Sequence, residues 1–326
     1  MKKVLRNITV LHNLPVGNDI DDLDTQKSAI AVASGLQESG YQVEVLGILK
    51  SDLETVKNIH TDLVFNLVEW AGRDYSLGVE VIKTLEKADL PYTGSNAYGY
   101  EVSCDKVKMK KILVDNNIPT PKYLVVENLQ FRIINLKYPV IVKPVLEHSA
   151  IGISQASVCT NESEAKNQVK KLLDSYHQPI LIEEYLEGDE AQVTVLEKNG
   201  QPWVLPPAVF RYQKKPGYWP INTYAAKWGT GWESQMSDWT EEIDSKLVTE
   251  MQQLAKKCYL KLGGRSYPRM DMRINGDKVY ILEVNNNPGI DFDPESGIAV
   301  SAKKTGLDWP SLLKNIVEEA YDSPVV

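Results

Sequence analysis

Apolar residues in the first hundred positions alternate between short dense runs and longer spaced patterns. Ile8–Leu11, Tyr41–Ile48 and Asp62–Leu67 are dense runs and read as strands. Thr25–Glu38 and Leu77–Ala88 carry apolar positions at helical spacing and read as helices. This strand–helix alternation predicts a parallel, doubly wound sheet. Leu90-Pro91-Tyr92-Thr93-Gly94-Ser95 gathers turn formers and is expected to close an N-terminal α/β unit, residues 1–100. A lysine-rich helix, Asp105–Asn116, then a strand at Pro139–Lys143, a helix at Glu162–Ser175 and a strand at Pro179–Glu183 suggest a smaller central unit over 101–183. A third, 184–326, contains a long stretch without clear periodicity, Pro206–Trp239. Such stretches are functional lids or disordered. Four of the seven tryptophans (Trp219, Trp228, Trp232 and Trp239) lie in it, whereas disordered segments are poor in aromatics. A lid over a site, or a surface loop with its own aromatic cluster, fits this pattern.

Composition narrows the function classes. At 326 residues the chain exceeds one small core. Its formal net charge of −8 argues against a broad nucleic-acid or membrane-binding face, yet leaves room for lysines gathered in a cleft. Cys104, Cys159 and Cys258 are odd in number and far apart, so neither a disulfide framework nor a thiolate zinc site is expected. His12, His60, His148 and His177 show no metal-ligand spacing. The apolar start is short and broken by Arg6, Asn7 and His12, and reads as a first strand instead of a signal peptide. No apolar run approaches the roughly twenty residues of a membrane span. A cytoplasmic, soluble α/β enzyme is expected.

The chemistry concentrates in three segments. Arg269 through Gly289 reads as a β-hairpin turning at Asn275-Gly276-Asp277. Alternation puts Arg269 and Asp271 on one face, and Glu283 and Asn285 on one face of the partner strand. If the register joins those faces, two carboxylates, an amide oxygen and a guanidinium converge. Two facing carboxylates repel unless a cation lies between them, and an all-oxygen set suits Mg2+. Solvated strand-face charges are the alternative. In the second segment, Lys143 closes an apolar strand before Pro144, where burial calls for an anionic partner such as a nucleotide phosphate. The following Glu147–Ile153 loop fits neither GxxxxGK[ST] nor GxGxxG, which weighs against P-loop and Rossmann sites. In the third, a strand runs into Glu183-Glu184-Tyr185-Leu186-Glu187-Gly188-Asp189-Glu190, either an acidic turn or a site for a base and ribose.

Together these segments resemble the ATP-grasp superfamily, and within it the D-alanine–D-alanine ligases. The landmarks, in the family's order, are Leu90–Ser95, Cys104-Asp105-Lys106, Ile118-Pro119-Thr120-Pro121, Val142-Lys143-Pro144, Glu183-Glu184-Tyr185, Tyr224–Lys227 and Arg269–Gly289. The resemblance implies a three-domain α/β ATP-grasp fold and an ATP-dependent carboxylate–amine ligase working through an acyl phosphate. It implies ATP and two Mg2+ ions, with Mn2+ as a substitute, small carboxylate and amine substrates, and a homodimer. By resemblance, Lys106 and Lys143 contact ATP phosphates, Ser149 belongs to the loop covering them, and Lys227 reaches from the lid to the transferred phosphate. Glu183, Glu184 and the backbone near Tyr185 lie at adenine, and Glu190 at ribose. Asp271, Glu283 and Asn285 hold metal, while Arg269 and the Gly289 N–H stabilise an oxyanion.

The substrate positions depart from the family's pattern. An aspartate in Asp21–Asp24, with Asp24 nearest the helix, stands where the family carries a glutamate. Glu69-Trp70 replaces a histidine–glycine pair, and Trp228 the lid tyrosine. Asp293-Pro294-Glu295 replaces the serine–leucine step that receives the acceptor's carboxylate. A carboxylate facing Glu295 would be repelled, so an altered acceptor is expected, unless Arg265 or Arg273 offers a displaced site. The alternatives are an authentic D-alanine–D-alanine ligase, another ATP-grasp reaction, or an ATP-binding regulator without catalysis. Arg269, Asp271, Glu283 and Asn285 weigh against the last.

Overall fold

A computed structural model describes residues 4–15, 20–69, 75–291, 293 and 296–323. Three sheets organise them. The first has order β2-β1-β3, with β1 (Asn7–Asn13) flanked in parallel by β2 (Gln42–Ile48) and β3 (Leu63–Asn66). Parallel strands require crossovers, supplied between β1 and β2 by α1 (Ile20–Glu38). After β2 come the short α2 (Leu53–Val56), β3, α3 (Ser76–Lys87) and α4 (Ala97–Cys104). The expected parallel sheet is present, and α1 begins several residues before the Thr25 read from the pattern.

The second sheet is antiparallel, in the order β4-β7-β5-β6: β4 (Tyr123–Val126), β5 (Val140–Pro144), β6 (Val158–Cys159) and β7 (Ile180–Glu184). Before it runs α5 (Lys106–Asp115), whose N-cap Asp105 accepts from the Val107 and Lys108 amides. The Asp105 carboxylate thereby satisfies donors that the first helical turn leaves open. Between β6 and β7 lies α6 (Glu162–Tyr176), which packs Ala165, Val169 and Leu172 against the sheet.

The third sheet carries the densest chemistry, with order β11-β10-β8-β12-β13 and β9 paired to the far half of β8. Its strands are β8 (Glu190–Lys198), β9 (Gln201–Val204), β10 (Ala208–Tyr212), β11 (Ser237–Thr240), β12 (Arg269–Asn275) and β13 (Lys278–Asn285). The stretch read as irregular is therefore structured at both ends, since β10 and β11 extend this sheet toward its edge. Between them lies α7 (Tyr224–Trp228). Apolar residues of β8, β12 and β13 share a core with α5 and with α8 (Ser245–Lys261). After α9 (Gly297–Lys303), α10 (Trp309–Asp322) returns to the first sheet and packs Leu312, Leu313, Ile316 and Val317 into its core. The two ends of the chain thus meet in one hydrophobic cluster, above which the third sheet opens onto a cleft. Among the described residues no helix is long and apolar enough to cross a membrane.

Candidate active site

The β12–β13 hairpin turns at Gly276-Asp277, with Gly276 at φ 62°, a conformation costly for any residue with a Cβ. Register places Arg269 opposite Asn285 and Asp271 opposite Glu283. Between Asp271 and Met272 the register shifts, so that Leu282 is the extra residue on β13. Burial alternates on both sides of this bulge but in opposite phase: Val279 and Ile281 are buried before it, Val284 after it. A one-residue insertion is what moves a strand's side chains to the other face. Without it, Glu283 and Asn285 would enter the core.

On the other side of β12 lies β8, with Thr194 opposite Arg269, Gln192 opposite Asp271 and Glu190 opposite Arg273. The cleft floor is thus a grid across three strands. Thr194, Arg269 and Asn285 form one row, Gln192, Asp271 and Glu283 the next, and Glu190 with Arg273 the last; all eight line the cleft. Its volume is about 740 Å3.

Arg269 donates from Nε to Asp271 Oδ1 at 2.7 Å and from Nη2 to Oδ2 at 2.9 Å, a two-point ion pair that fixes both groups. Asn285 Nδ2 donates to Asp271 Oδ2 at 3.0 Å. Glu283 Oε1 lies 3.3 Å from Lys106 Nζ and 3.3 Å from His148 Nδ1. Burial alone would raise the Glu283 carboxyl, but Lys106, a hydrogen bond from His148 and Lys143 hold it far below the ordinary carboxylate range. Among the described residues no three or more His, Cys, Asp and Glu side chains converge as a metal cluster. The oxygen set is two carboxylates and one amide, with Asp271 and Glu283 directly opposed. That set fits a hard divalent cation which keeps water and phosphate oxygens for its other positions.

Lysines crowd the neighbouring wall. Lys106 and Lys110 stand four apart on α5, on one helical face, and both are buried. Lys106 donates to the Glu147 carbonyl, pairs with Glu283 and does not line the cleft. Lys110 and Lys143 both pair with Glu183, which is 1% exposed. Burial opposes ionisation of Glu183, yet the two ammonium groups hold its carboxyl below the usual range. Burial lowers Lys110 despite that attraction, whereas Glu183 outweighs burial at Lys143 and raises it. Two lysines against one carboxylate leave an excess positive charge, presented to the cleft by Lys143. Lys110 escaped sequence reading because a lysine in a lysine-rich helix looks solvated. Its spacing of four from Lys106 and apolar neighbours Met109 and Leu113 were the available signal.

Pro121, Ile141, Ile153, Tyr185, Leu186 and Leu282 form an apolar slot beside these lysines. Glu184 also lines the cleft and accepts from the Lys137 amide at 3.0 Å. The Tyr185 N–H donates to Pro139 O at 3.0 Å, and the Tyr185 ring meets Trp219 edge-on. At the slot's far end Arg273 Nη2 donates to Glu190 Oε1 at 2.6 Å.

The segment around α7 lies over the cleft. Lys227 Nζ donates to Ser149 Oγ at 3.2 Å, Trp228 Nε1 to Ser149 O at 3.1 Å and the Tyr224 amide to Ile153 O at 3.0 Å. Gln155 and the Trp219 backbone exchange two further bonds. Ser149 and Ala150 hold positive φ (53° and 63°), turning the 148–153 loop toward this segment.

The remaining end of the cleft is acidic. Asp24, Glu69 and Asp291 line it with Gly289 and Ser296. Burial pushes the Glu69 carboxyl up to about 7, with Lys227 and Arg269 pulling it down and Asp24 adding repulsion. Asp293 is exposed and does not line the cleft, whereas Asp291 does and accepts from the Asp293 amide at 3.1 Å. Glu295 and Trp70 lie outside the described residues. Arg265 does not line the cleft: its Nη1 donates to Tyr92 O and Gly94 O. Arg273 lines it, with Nη1 committed to Gly188 O and Pro220 O. Neither guanidinium presents a displaced carboxylate site.

The Asn285–Gly289 turn is stitched to α4, to the C-terminal end of α8 and to Gly94 by its own asparagines. Asn286 Nδ2 donates to Gly99 O at 2.7 Å and Leu262 O at 2.6 Å. Asn287 abuts Gly94, where a Cβ would lie 2.2 Å from Asn287 Oδ1 and φ is +91°. Only glycine fits there.

The family model for the D-ala D-ala ligase C-terminus matches residues 112–318. A D-alanine–D-alanine ligase of Marinomonas sp. is 33% identical over 311 residues, covering 91% of this chain and 90% of that protein. Among solved structures, the D-alanine–D-alanine ligase of Bacillus anthracis complexed with ATP superposes with a TM-score of 0.76 at 21% identity, covering 97% of this chain and 98% of that one. The VanG D-Ala:D-Ser ligase of Enterococcus faecalis gives 0.75 at 19% identity, covering 97% and 100%.

Proposed function

The chain belongs to the D-alanine–D-alanine ligase family of ATP-dependent enzymes that form C–N bonds, and on that premise we propose that it joins a carboxylate to an acceptor whose attacking amine is not flanked by a free carboxylate. The observation that carries the reading is the floor grid, in which Arg269, Asp271, Glu283 and Asn285 face one cleft beside the surplus charge of Lys143.

A free carboxylate is a poor acyl donor because oxide is a poor leaving group. Phosphorylation by ATP supplies a good one, after which an amine attacks and phosphate departs. Such transfer depends on positioning and charge neutralisation more than on covalent chemistry by the protein. The apolar slot suits the nucleotide base, Glu190 at its end suits ribose, and Lys143 suits the phosphates, while Lys106, behind the cleft wall, serves by holding Glu283. Asp271, Glu283 and Asn285 would hold Mg2+, which when bound supplies charge neutralisation at the phosphate oxygens. Glu183 serves by holding Lys110 and Lys143. The α7 segment, latched through Lys227 and Trp228 to Ser149, would exclude the water that hydrolyses an acyl phosphate. Arg269 and the Gly289 N–H would face the oxygen that gains charge as the amine attacks.

The acidic end supports the acceptor assignment. Asp24 and Asp291 favour a cationic or carboxylate-free group, and Arg265 and Arg273 are spent elsewhere. The Marinomonas relative's name favours D-alanine as acceptor instead. The deciding experiment follows Mg2+-dependent phosphate release from ATP over pairs of D- and L-amino acids, their amides and simple amines, with product mass in parallel. Release that requires a pair, yields a product lighter by one water, and collapses in Arg269→Ala is expected. ATP turnover independent of any pair would overturn the ligase reading, and efficient D-alanyl-D-alanine formation would overturn the acceptor assignment.

A further inference from the structure

Amide formation has a second chemical requirement that the floor grid does not meet. An ammonium has no lone pair, so the acceptor must lose a proton before its nitrogen can attack. The carboxylates of the floor are committed: Asp271 to Arg269 and Asn285, Glu283 to Lys106 and His148. Glu69, by contrast, makes no ion pair with any described residue within 4.0 Å.

Its place is defined by Gly289. A Cβ built on Gly289 would meet one described atom within 4 Å beyond its chain neighbours, Glu69 Oε1 at 3.8 Å. The space over Gly289 is thus open cleft bounded by the Glu69 carboxylate, and this is where the proposed oxyanion and the incoming nitrogen would sit. The backbone under Glu69 is fixed: its N–H donates to the buried Asn13 Oδ1 at 3.2 Å, and its carbonyl packs against Gly78, where a Cβ would lie 2.7 Å from it. A proton acceptor held that way needs little rearrangement to act.

Resting on the ligase reading above, we propose that the Glu69 carboxylate is the general base that takes the proton from the attacking ammonium. In that step an N–H bond breaks and its proton passes to Glu69. The freed lone pair forms the C–N bond at the acyl carbon, the acyl C–O bond to phosphate breaks, and a second proton of the attacking nitrogen leaves on the departing phosphate, giving a neutral amide and hydrogen phosphate. The charged and titratable groups facing Glu69 are Asp24 from α1, Lys227 from α7, Arg269 from β12, Tyr100 and Cys104 from α4, and Tyr267. Burial leaves the carboxyl titrating at about 7, near the working range of a base. The base form is lost as pH falls through that value, so amide formation should decline on the acid side.

The test separates base catalysis from acyl activation. Hydroxylamine is a neutral nucleophile near pH 7 and traps an acyl phosphate as hydroxamate without prior deprotonation. Wild type, Glu69→Gln and Glu69→Asp would be given ATP, Mg2+ and the same panel of D- and L-amino acids, with either hydroxylamine or protonated amines as acceptor. Amide formation by Glu69→Gln is expected to fall about a hundredfold, and at least about tenfold more than its hydroxamate formation. The acid limb near pH 7 should vanish with it, and Glu69→Asp should recover part of the amide rate. An equal fall in both reactions, or an acid limb that survives in Glu69→Gln, would overturn the assignment. No hydroxamate from the wild type with any acid would instead overturn the ligase reading on which it rests.

Discussion

The two ends of the cleft handle charge in opposite ways. At the lysine end, charge is buried and internally matched, with Lys110 and Lys143 gripping a Glu183 that is 1% exposed, and one positive charge left over. At the acidic end, Asp24, Glu69 and Asp291 line the cleft while the nearby cations, Lys227 and Arg269, are bonded to Ser149 and Asp271. On the proposed reading, the lysine end receives an anion and the acidic end a cation or a proton. A buried charge pair costs desolvation and is recovered only with good geometry, so fixed function is expected where it occurs. Burial acts on Glu69 too, but Asp24 and Asp291 line the open cleft, where a carboxylate can change with the substrate at lower cost.

The largest effect should come from breaking the lysine end. Glu183→Gln leaves two buried ammonium groups without a counter-ion and should destabilise the fold by about 3–5 kcal/mol, read from the urea midpoint. Added ATP should restore part of it. Arg269→Ala should lower turnover by about 10²–10³ while nucleotide affinity, followed by calorimetry, changes much less. At the acidic end, Asp24→Asn should weaken a cationic substrate by about tenfold in KM, consistent with about 1.4 kcal/mol for one ion pair in a cleft, and leave phosphate release per bound pair nearly unchanged. The smallest effect belongs to the α7 segment latched to Ser149. Trp228→Phe removes one hydrogen bond to Ser149 O, worth about 1 kcal/mol. It should raise wasteful ATP hydrolysis a few-fold relative to amide product.

How far these features could be read from sequence depended on whether they were periodic. The hairpin was legible because alternation alone pairs Arg269 with Asp271 and Glu283 with Asn285. The bulge at Leu282 was not, although adjacent Ile281 and Leu282 break the alternation and hint at it. The first sheet followed from its strand–helix rhythm. The Pro206–Trp239 stretch concealed β10 because its pairing partners, β8 and β11, are distant or short, and long-range pairing leaves little local trace. Lys110 was hidden by its lysine-rich helix, and Asp291 by a two-residue difference from Asp293, which only the turn geometry decides.

The central claim is that this cleft disfavours a carboxylate on the acceptor. The most direct measurement offers acceptors matched in all but that group, D-alanine against D-alaninamide and L-alanine against L-alaninamide, with ATP, Mg2+ and a common donor, and compares kcat/KM for product identified by mass. Two ionised carboxylates at close range in a partly dry site repel by several kcal/mol at an effective dielectric of about 20, so the amides should be preferred by at least about tenfold. Equal use of both, or preference for D-alanine itself, would contradict the account and return the acceptor pocket to the family's usual substrate.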